Sequence, residues 1–318
     1  MTRILVTGSS GFVGGHLLSR LAEDGHDIAI ATRSPLANTF GRAETIVVGG
    51  LGPHTDWSRA LDGCDAVIHL AAQVPGRGVT PGDFDKVNNL GTARLTEQAF
   101  EAGVKLFVHL SSVLAVADNS SGAPVSGDTL LRGPGNPYGL SKLAAESHVA
   151  SFSRQGRGGI SIRAPLVYGW NAKGNWALLQ RLAASGLPLP FAAVRNRRSL
   201  IAVDNLADAI ATVVNAPLID QERGGVYAVA DSESVSLAEL IGWLRQGMKR
   251  SPGLWAFPES GLRALLGAAG QGRVARSLLG DLEVDSSRFR AAFRWAPPLT
   301  AREAICASAE RYLLERSV

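Results

Sequence analysis

The cue that most restricts the fold is a strand, a glycine turn and a helix read in succession from residue 4. Ile4-Leu5-Val6-Thr7 is a β-branched and aliphatic run, too short for a helix and suited to a buried strand. Gly8, Gly11 and Gly14 follow at three-residue spacing, and Phe12, Val13, Leu17, Leu18 and Leu21 then recur at helical period until Gly25. Such a turn brings free backbone N–H groups and the positive end of a helix dipole together, which suits phosphate. Gly8 fits the tight turn, Gly11 lets the backbone approach a pyrophosphate, and Gly14 lets helix and strand pack closely. Between a strand and a helix, this spacing points to dinucleotide binding.

Apolar strand-like runs at residues 27–31, 45–48, 66–70, 106–110 and 159–163 alternate with helical stretches at 57–61, 84–101 and 137–152. Repeated β-α units of this size require parallel strands with right-handed crossovers, so a doubly wound sheet is expected. Residues 117–136 read as a loop rich in Gly, Pro, Ser and Asp. Beyond residue 169 a helix is expected at 176–185, a strand-like stretch at 198–203, and a strand at 226–230. Asp204 is expected to cap a helix at 205–214, and Ser236 with Glu239 forms a capping-box signal for a helix at 237–248. Residues 262–279, apolar but interrupted by Arg263, Arg273 and Arg276, read as one amphipathic helix. The expected division is a dinucleotide-binding domain over 1–168, to which 198–230 returns, and a smaller, mainly substrate-binding domain over 169–318.

The net charge of +4, with acidic residues interspersed, favours small anionic ligands over nucleic acid. Two cysteines, Cys64 and Cys306, give no disulfide framework and point to a reducing compartment, the cytoplasm. The first strand begins so early that no signal peptide is expected. No apolar run approaches the roughly 18 residues of a membrane span. No spacing of His, Cys and carboxylates suggests a metal site.

The second strand ends in Ala31-Thr32-Arg33-Ser34. An acidic residue about 20 residues past the glycines commonly holds the adenosine ribose. Arg33 stands there instead, 19 residues beyond Gly14. A guanidinium suits a 2′-phosphate, which favours NADP(H) over NAD(H). Tyr138 and Lys142 are four residues apart and share a helical face. A nearby cation lowers a phenol's pKa, which makes Tyr138 a usable acid/base and Lys142 its tuner. Ser111 and Ser112 fall at the end of the fifth strand, where a hydroxyl can bond a reacting oxygen, and Asn88 is placed as a structural amide near the same face. His69, between apolar neighbours, reads as structural, and Cys64 as an inert loop residue.

Together these motifs resemble the extended short-chain dehydrogenases/reductases of the NAD-dependent epimerase/dehydratase group, over nearly the whole chain. Thr7-Gly8-Ser9-Ser10-Gly11-Phe12-Val13-Gly14 is similar to the cofactor fingerprint, and residues 65–72, ending Leu70-Ala71-Ala72, to the fourth-strand motif beside the nicotinamide half. Val87-Asn88-Asn89-Leu90-Gly91-Thr92 matches the helix motif. Residues 163–169, with Pro165, resemble the strand leading into the substrate domain, and 198–204 the segment whose arginine holds a nucleotide-sugar diphosphate. The resemblance implies a Rossmann-type α/β fold with a smaller mixed C-terminal domain. It implies Ser112, Tyr138 and Lys142 as catalytic, and cofactor contacts from Gly8, Gly11, Phe12, Val13, Gly14, Arg33, Leu51, Leu70, Ala71, Ala72, Asn88, Tyr138, Lys142 and Pro165. Substrate contacts fall to Gln73, Ser111, Asn175 and Arg198, the last two on a nucleotide-sugar diphosphate. It further implies a homodimer through the helices at 84–101 and 137–152.

Three departures bear on the pocket. Glycine stands in Val48-Gly49-Gly50-Leu51 where the family often has an adenine-contacting aspartate. Leu166 replaces a frequent asparagine, and Ala115-Val116-Ala117 replaces the usual Val-Tyr-Gly. Residues 186–190 and 196–200 look most like bacterial surface-polysaccharide enzymes. The expected activity is hydride transfer at sugar C4, first as NADP(H)-dependent reduction of a UDP-linked 4-keto sugar. The rival is a UDP-glucose or UDP-GlcNAc 4-epimerase with tightly bound NAD, against which Arg33 counts. A non-catalytic nucleotide-binding scaffold is disfavoured, since Ser112, Tyr138 and Lys142 are all present.

Overall fold

The computed structural model describes residues 2–35, 43–120, 122–133, 135–154, 157–216 and 223–316. The main sheet contains β1 (Arg3–Thr7), β2 (Asp27–Thr32), β3 (Glu44–Val47), β4 (Ala66–His69), β5 (Leu106–Ser112) and β6 (Gly158–Ala164). Its last strand is β9 (Gly225–Ala228), while β7 (Leu166–Tyr168) and β8 (Leu200–Ala202) form a separate parallel pair. The main-sheet order is β3-β2-β1-β4-β5-β6-β9, and every pairing is parallel. The chain builds outward from β1 to β3, returns to β4, and builds the other way. The reversal opens a crevice at the carboxyl ends of β1 and β4, where such sheets bind ligands.

Alternation along each strand sends side chains to two faces. Ile4, Val6, Val108 and Ile162 pack beneath α1 (Phe12–Glu23) and a helix over Val203–Asn215. Leu5, Val67 and Phe107 pack on the opposite face with Leu61 of α2 (Ser58–Leu61), beneath α4 (Gly91–Glu101), which the short α3 (Pro81–Phe84) precedes, and α5 (Pro137–Arg154). A second core gathers Tyr168, Trp176, Leu240, Ile241, Leu244 and Ile305. It lies among α6 (Asn175–Ala184) and the helices Leu237–Gly247 and Ala301–Leu314. Tyr168 Oη donates to Asp231 at 2.8 Å, and Asp231 also accepts from Ala202 N and Asn205 Nδ2, tying the two sheets together.

Several expected elements take a different form. The helix expected over 84–101 is a turn at Pro81–Phe84, a π-helical turn at Asp85–Leu90, and then α4. Asp204 caps nothing: the helix starts at Val203 with no side-chain cap, and Asp204 meets His16 Nδ1 at 2.6 Å. The strand expected at 198–203 shortens to β8, with isolated bridges from Arg198 to Val235 and to Leu282. Residues 262–279 form two helices, Glu259–Ala268 and Gly272–Leu279, since Gln271 N turns back to Leu266 O at 2.7 Å. The Ser236–Glu239 capping box is present. No described helix is long and apolar enough to cross a membrane.

Candidate active site

The glycine turn is built tightly at its first and last glycines. Gly8 has φ +75°, and a Cβ there would lie 2.6 Å from Ala71 N in the segment after β4. A Cβ on Gly14 would lie 2.4 Å from Gly8 O and 2.6 Å from Ser9 Cα, so only glycine lets α1 start against the turn. A Cβ on Gly11 would meet Gly8 O at 3.1 Å and, among the described residues apart from its chain neighbours, no other atom within 4 Å. Gly11 itself closes the turn through its N–H to Gly8 O at 3.0 Å. Ser9 Oγ is buried here and has no hydrogen-bond partner among the described residues. Glycine edges, an unpartnered hydroxyl and the N-terminus of α1 fit a dinucleotide pyrophosphate.

The segment after β4 is clasped from the side. Asn88, buried in the π-helical turn, accepts from Gln73 N at 2.7 Å and donates from Nδ2 to Gln73 O and to Ser141 Oγ, each at 3.0 Å. Ser141 Oγ donates in turn to Tyr138 O at 2.7 Å. One amide thus links the segment containing Leu70, Ala71, Ala72 and Gln73 to the first turn of α5. Thr92 Oγ1, in the first turn of α4, donates to Asn88 O of the widened turn at 2.6 Å. Such turns cluster at functional sites, and sequence periodicity does not reveal them.

Tyr138 and Lys142 sit on the α5 stripe that continues to Glu146. Asn136 Oδ1 accepts from Gly139 N at 2.8 Å at the start of that helix. A Cβ on Gly139 would lie 1.9 Å from Leu114 O, so the helix rests directly on the 3-10 turn Val113–Ala115 that follows Ser112. Ser112 Oγ accepts from Leu114 N at 3.2 Å. The half-buried Tyr138 ring meets Phe84 edge-on, with centroids 5.8 Å apart.

The electrostatics differ from the expectation that an ammonium pulls the Tyr138 phenol down. Burial pushes the phenol above its usual range. Lys142 is itself brought down to about 7 by burial, with Glu146 partly opposing. Its Nζ stands 2.8 Å from His109 Nε2. Neither His109 nor Gly139 stood out in the sequence, although a histidine in an otherwise apolar strand must find a buried partner.

Ser111, expected at the substrate, faces the interior instead. It has the same parity as Phe107 and His109, and its hydroxyl donates to buried Glu146 Oε1 at 2.5 Å. Glu146 also holds Arg163 through Nε at 3.0 Å and Nη2 at 2.7 Å. Ser112, of opposite parity, is the serine left at the strand's mouth. His69 is structural, bonding Thr7 Oγ1 at 2.7 Å and Thr92 Oγ1 at 3.1 Å, and burial holds its pKa down to about 3.

The outer residues spread more widely. Arg33 is exposed just past β2, Leu51 and Val13 are half-buried, and Pro165 is buried after β6. Phe12 packs toward the second core, where a Cβ on Gly169 would lie 2.9 Å from its ring. Asn175 is exposed as the first residue of α6. Arg198 is half-buried, with its backbone paired to Val235 and its Nη1 donating to Gly280 O at 2.9 Å. Burial lowers the guanidinium pKa, partly offset by Asp281. Among the described residues, no three His, Cys, Asp or Glu side chains gather as a metal site.

The family model described as "NAD dependent epimerase/dehydratase family" matches residues 4–230. A UDP-glucose 4-epimerase of Vibrio cholerae is 30% identical over 98% of this chain and 95% of its own length. A ceramide reductase of Caulobacter vibrioides is 26% identical over 81% of this chain and 74% of that protein. The crystal structure of a Thermus thermophilus UDP-glucose 4-epimerase in complex with NAD superposes with a TM-score of 0.74 at 20% identity, covering 98% and 99% of the two chains.

Proposed function

Because this chain belongs to the NAD-dependent epimerase/dehydratase family and is therefore an NAD-dependent enzyme of that type, we propose that it moves a hydride at C4 of a UDP-linked sugar, with 4-epimerisation as the overall reaction. The observation that carries this reading is the convergence at adjacent strand ends. The glycine turn follows β1, the Asn88-clasped segment follows β4, and Ser112 ends β5 against the helix bearing Tyr138 and Lys142. Similarity to a 4-epimerase over nearly the full length supports epimerisation in particular.

When bound, NAD supplies a hydride acceptor and donor. Tyr138 takes the proton of the sugar 4-hydroxyl as C4 is oxidised and returns it to the keto oxygen as C4 is reduced from the other face. Ser112 donates a hydrogen bond to that oxygen. Lys142 supplies positive charge beside the phenolate and holds the nicotinamide ribose. Arg198 and Asn175, the latter at the N-terminus of α6, hold the diphosphate. Residues 169–318 supply most of the sugar side.

One observation favours a second reading. Arg33, where a ribose-binding carboxylate is common, suits NADP(H) and hence net reduction of a UDP-4-keto sugar, a reaction that consumes its cofactor. Incubation with UDP-glucose and UDP-GlcNAc separates the two. Epimer formation without added cofactor is expected. NADPH-dependent consumption of a UDP-4-keto sugar, with no epimer formed, refutes epimerisation.

A further inference from the structure

Lys142 is 2% exposed and His109 is fully buried, and the 2.8 Å contact between them has no task in the chemistry above. Burial holds the His109 imidazole well below its usual pKa, so it is neutral, with one donor and one acceptor nitrogen. An ammonium only donates, so Nε2 accepts from Lys142 and Nδ1 carries the proton toward Ser161 Oγ, 3.3 Å away. The ring stacks on His69, with centroids 5.9 Å apart and planes at 26°. Thr7 and Thr92 fix His69 in turn. His109 therefore cannot turn or change tautomer without breaking a buried hydrogen bond.

We infer that His109 is a positioning residue for Lys142, holding Nζ one helical turn from Tyr138 and favouring its charged form by accepting one of its N–H bonds. This rests on the role proposed for Lys142 in the reaction. The titratable groups set against Lys142 are Glu146 on its own helix, neutral His109 on β5, and His69 behind it on β4, with Tyr138 one helical turn away in the sequence. Glu146 raises the lysine's pKa but is shared with Arg163 of β6. Burial dominates. A hydrogen bond made by a charged donor stabilises the charged form, so its loss lowers the lysine's pKa further, by about one unit.

The consequence has a definite sign. When a 4-keto sugar is reduced, C4 gains the hydride, O4 gains the Tyr138 proton, and the phenolate left behind is stabilised by the Lys142 charge. The rate therefore falls as pH rises through the lysine's pKa. Folding stability reports the same pKa without cofactor. The unfolded lysine titrates near ~10.4, so between about 7 and that value the unfolded chain binds more protons, and Lys142's contribution makes stability rise with pH.

Two measurements across about pH 5 to 10 test the inference. The first is single-turnover oxidation of NADH, or of NADPH if that binds more tightly, by UDP-4-keto-6-deoxyglucose. The second is urea unfolding of cofactor-free protein, taken as the difference from Lys142→Met. His109→Phe is expected to move the fall in rate and the onset of the stability rise down together by about one pH unit. His109→Gln, which keeps an acceptor, should restore both. If His109→Phe does not fold, Ser161→Ala frees the tautomer and is expected to shift both the same way by less. A rate loss uniform in pH with an unshifted stability onset overturns the inference. Full turnover in Lys142→Met instead overturns the lysine's proposed role, while the unfolding curves still test the His109 contact.

Discussion

Arg163 and Lys142 are both buried under α5, and the protein treats the two cations in opposite ways. Arg163, on β6, is bidentate to Glu146 and donates from Nη1 to the carbonyls of Ser126, Gly127 and Thr129, while Ser111 fills a further site on the carboxylate. Its charge is neutralised, and each nitrogen of its guanidinium donates a hydrogen bond. Among the described residues, Lys142 Nζ bonds one neutral imidazole, and its pKa is displaced to about 7. A saturated buried pair fixes structure. A buried cation with a donor to spare is costly to keep and can answer a charge that forms nearby. Displaced pKa values of this kind cluster at functional sites; the contrast sets Ser111, Glu146 and Arg163 in the frame and agrees with the reaction roles proposed for Tyr138, Lys142 and Ser112.

The largest expected effect tests the reactive side. Tyr138→Phe removes the proposed proton carrier while keeping the ring against Phe84. General acid/base groups contribute about 10²- to 10⁴-fold, so turnover should fall by roughly 10³-fold with the melting temperature nearly unchanged. Steady-state assay together with thermal unfolding checks this, and wild-type turnover would remove the reactive cluster from the chemistry.

The next effect tests the frame. Glu146→Gln leaves the Arg163 charge buried and unneutralised, which costs about 3 kcal/mol or more. Urea unfolding should show that loss at neutral pH, while turnover per folded molecule stays within about tenfold of wild type. A small stability loss with a large fall in turnover would reverse the assignment and bring Ser111 and Glu146 back to the reaction.

Much of the frame was legible because it depends on short-range pattern. The β1 strand, the glycine turn and the alternating units announced the sheet; Tyr138 and Lys142 stood out by their four-residue spacing, and Ser112 by its place at a strand end and by the family resemblance. What failed was decided by distant partners. Asp204 looked like a helix cap, but His16, 188 residues away in sequence, claims it. The widened turn at Asp85–Leu90 coincides with Asn88 bonding both Gln73 and Ser141, a relation that no local window contains. Ser111 and Ser112 are chemically identical neighbours, and only strand parity beneath α5 separates them. The tuning of Tyr138 by Lys142 was read from proximity on a helix face, without the burial that displaces both pKa values.

Arg33 extends the comparison to a third cation, neither saturated nor buried. It is exposed past β2, so water already solvates it and its contribution to stability should be negligible. What it can alter is cofactor choice. Pairing with a 2′-phosphate at an exposed site is worth about 1 kcal/mol, so Arg33→Asp should weaken NADPH binding at least fivefold and leave NADH binding unchanged or improved. Fluorescence titration of both cofactors against wild type and variant measures the ratio directly. If NADPH and NADH affinities both stay at wild-type values, Arg33 makes no contact with the ribose, the argument for NADP(H) loses its basis, and the epimerase reading no longer has a residue counting against it. A shift confined to NADPH would show that a solvated cation at this strand end discriminates between cofactors.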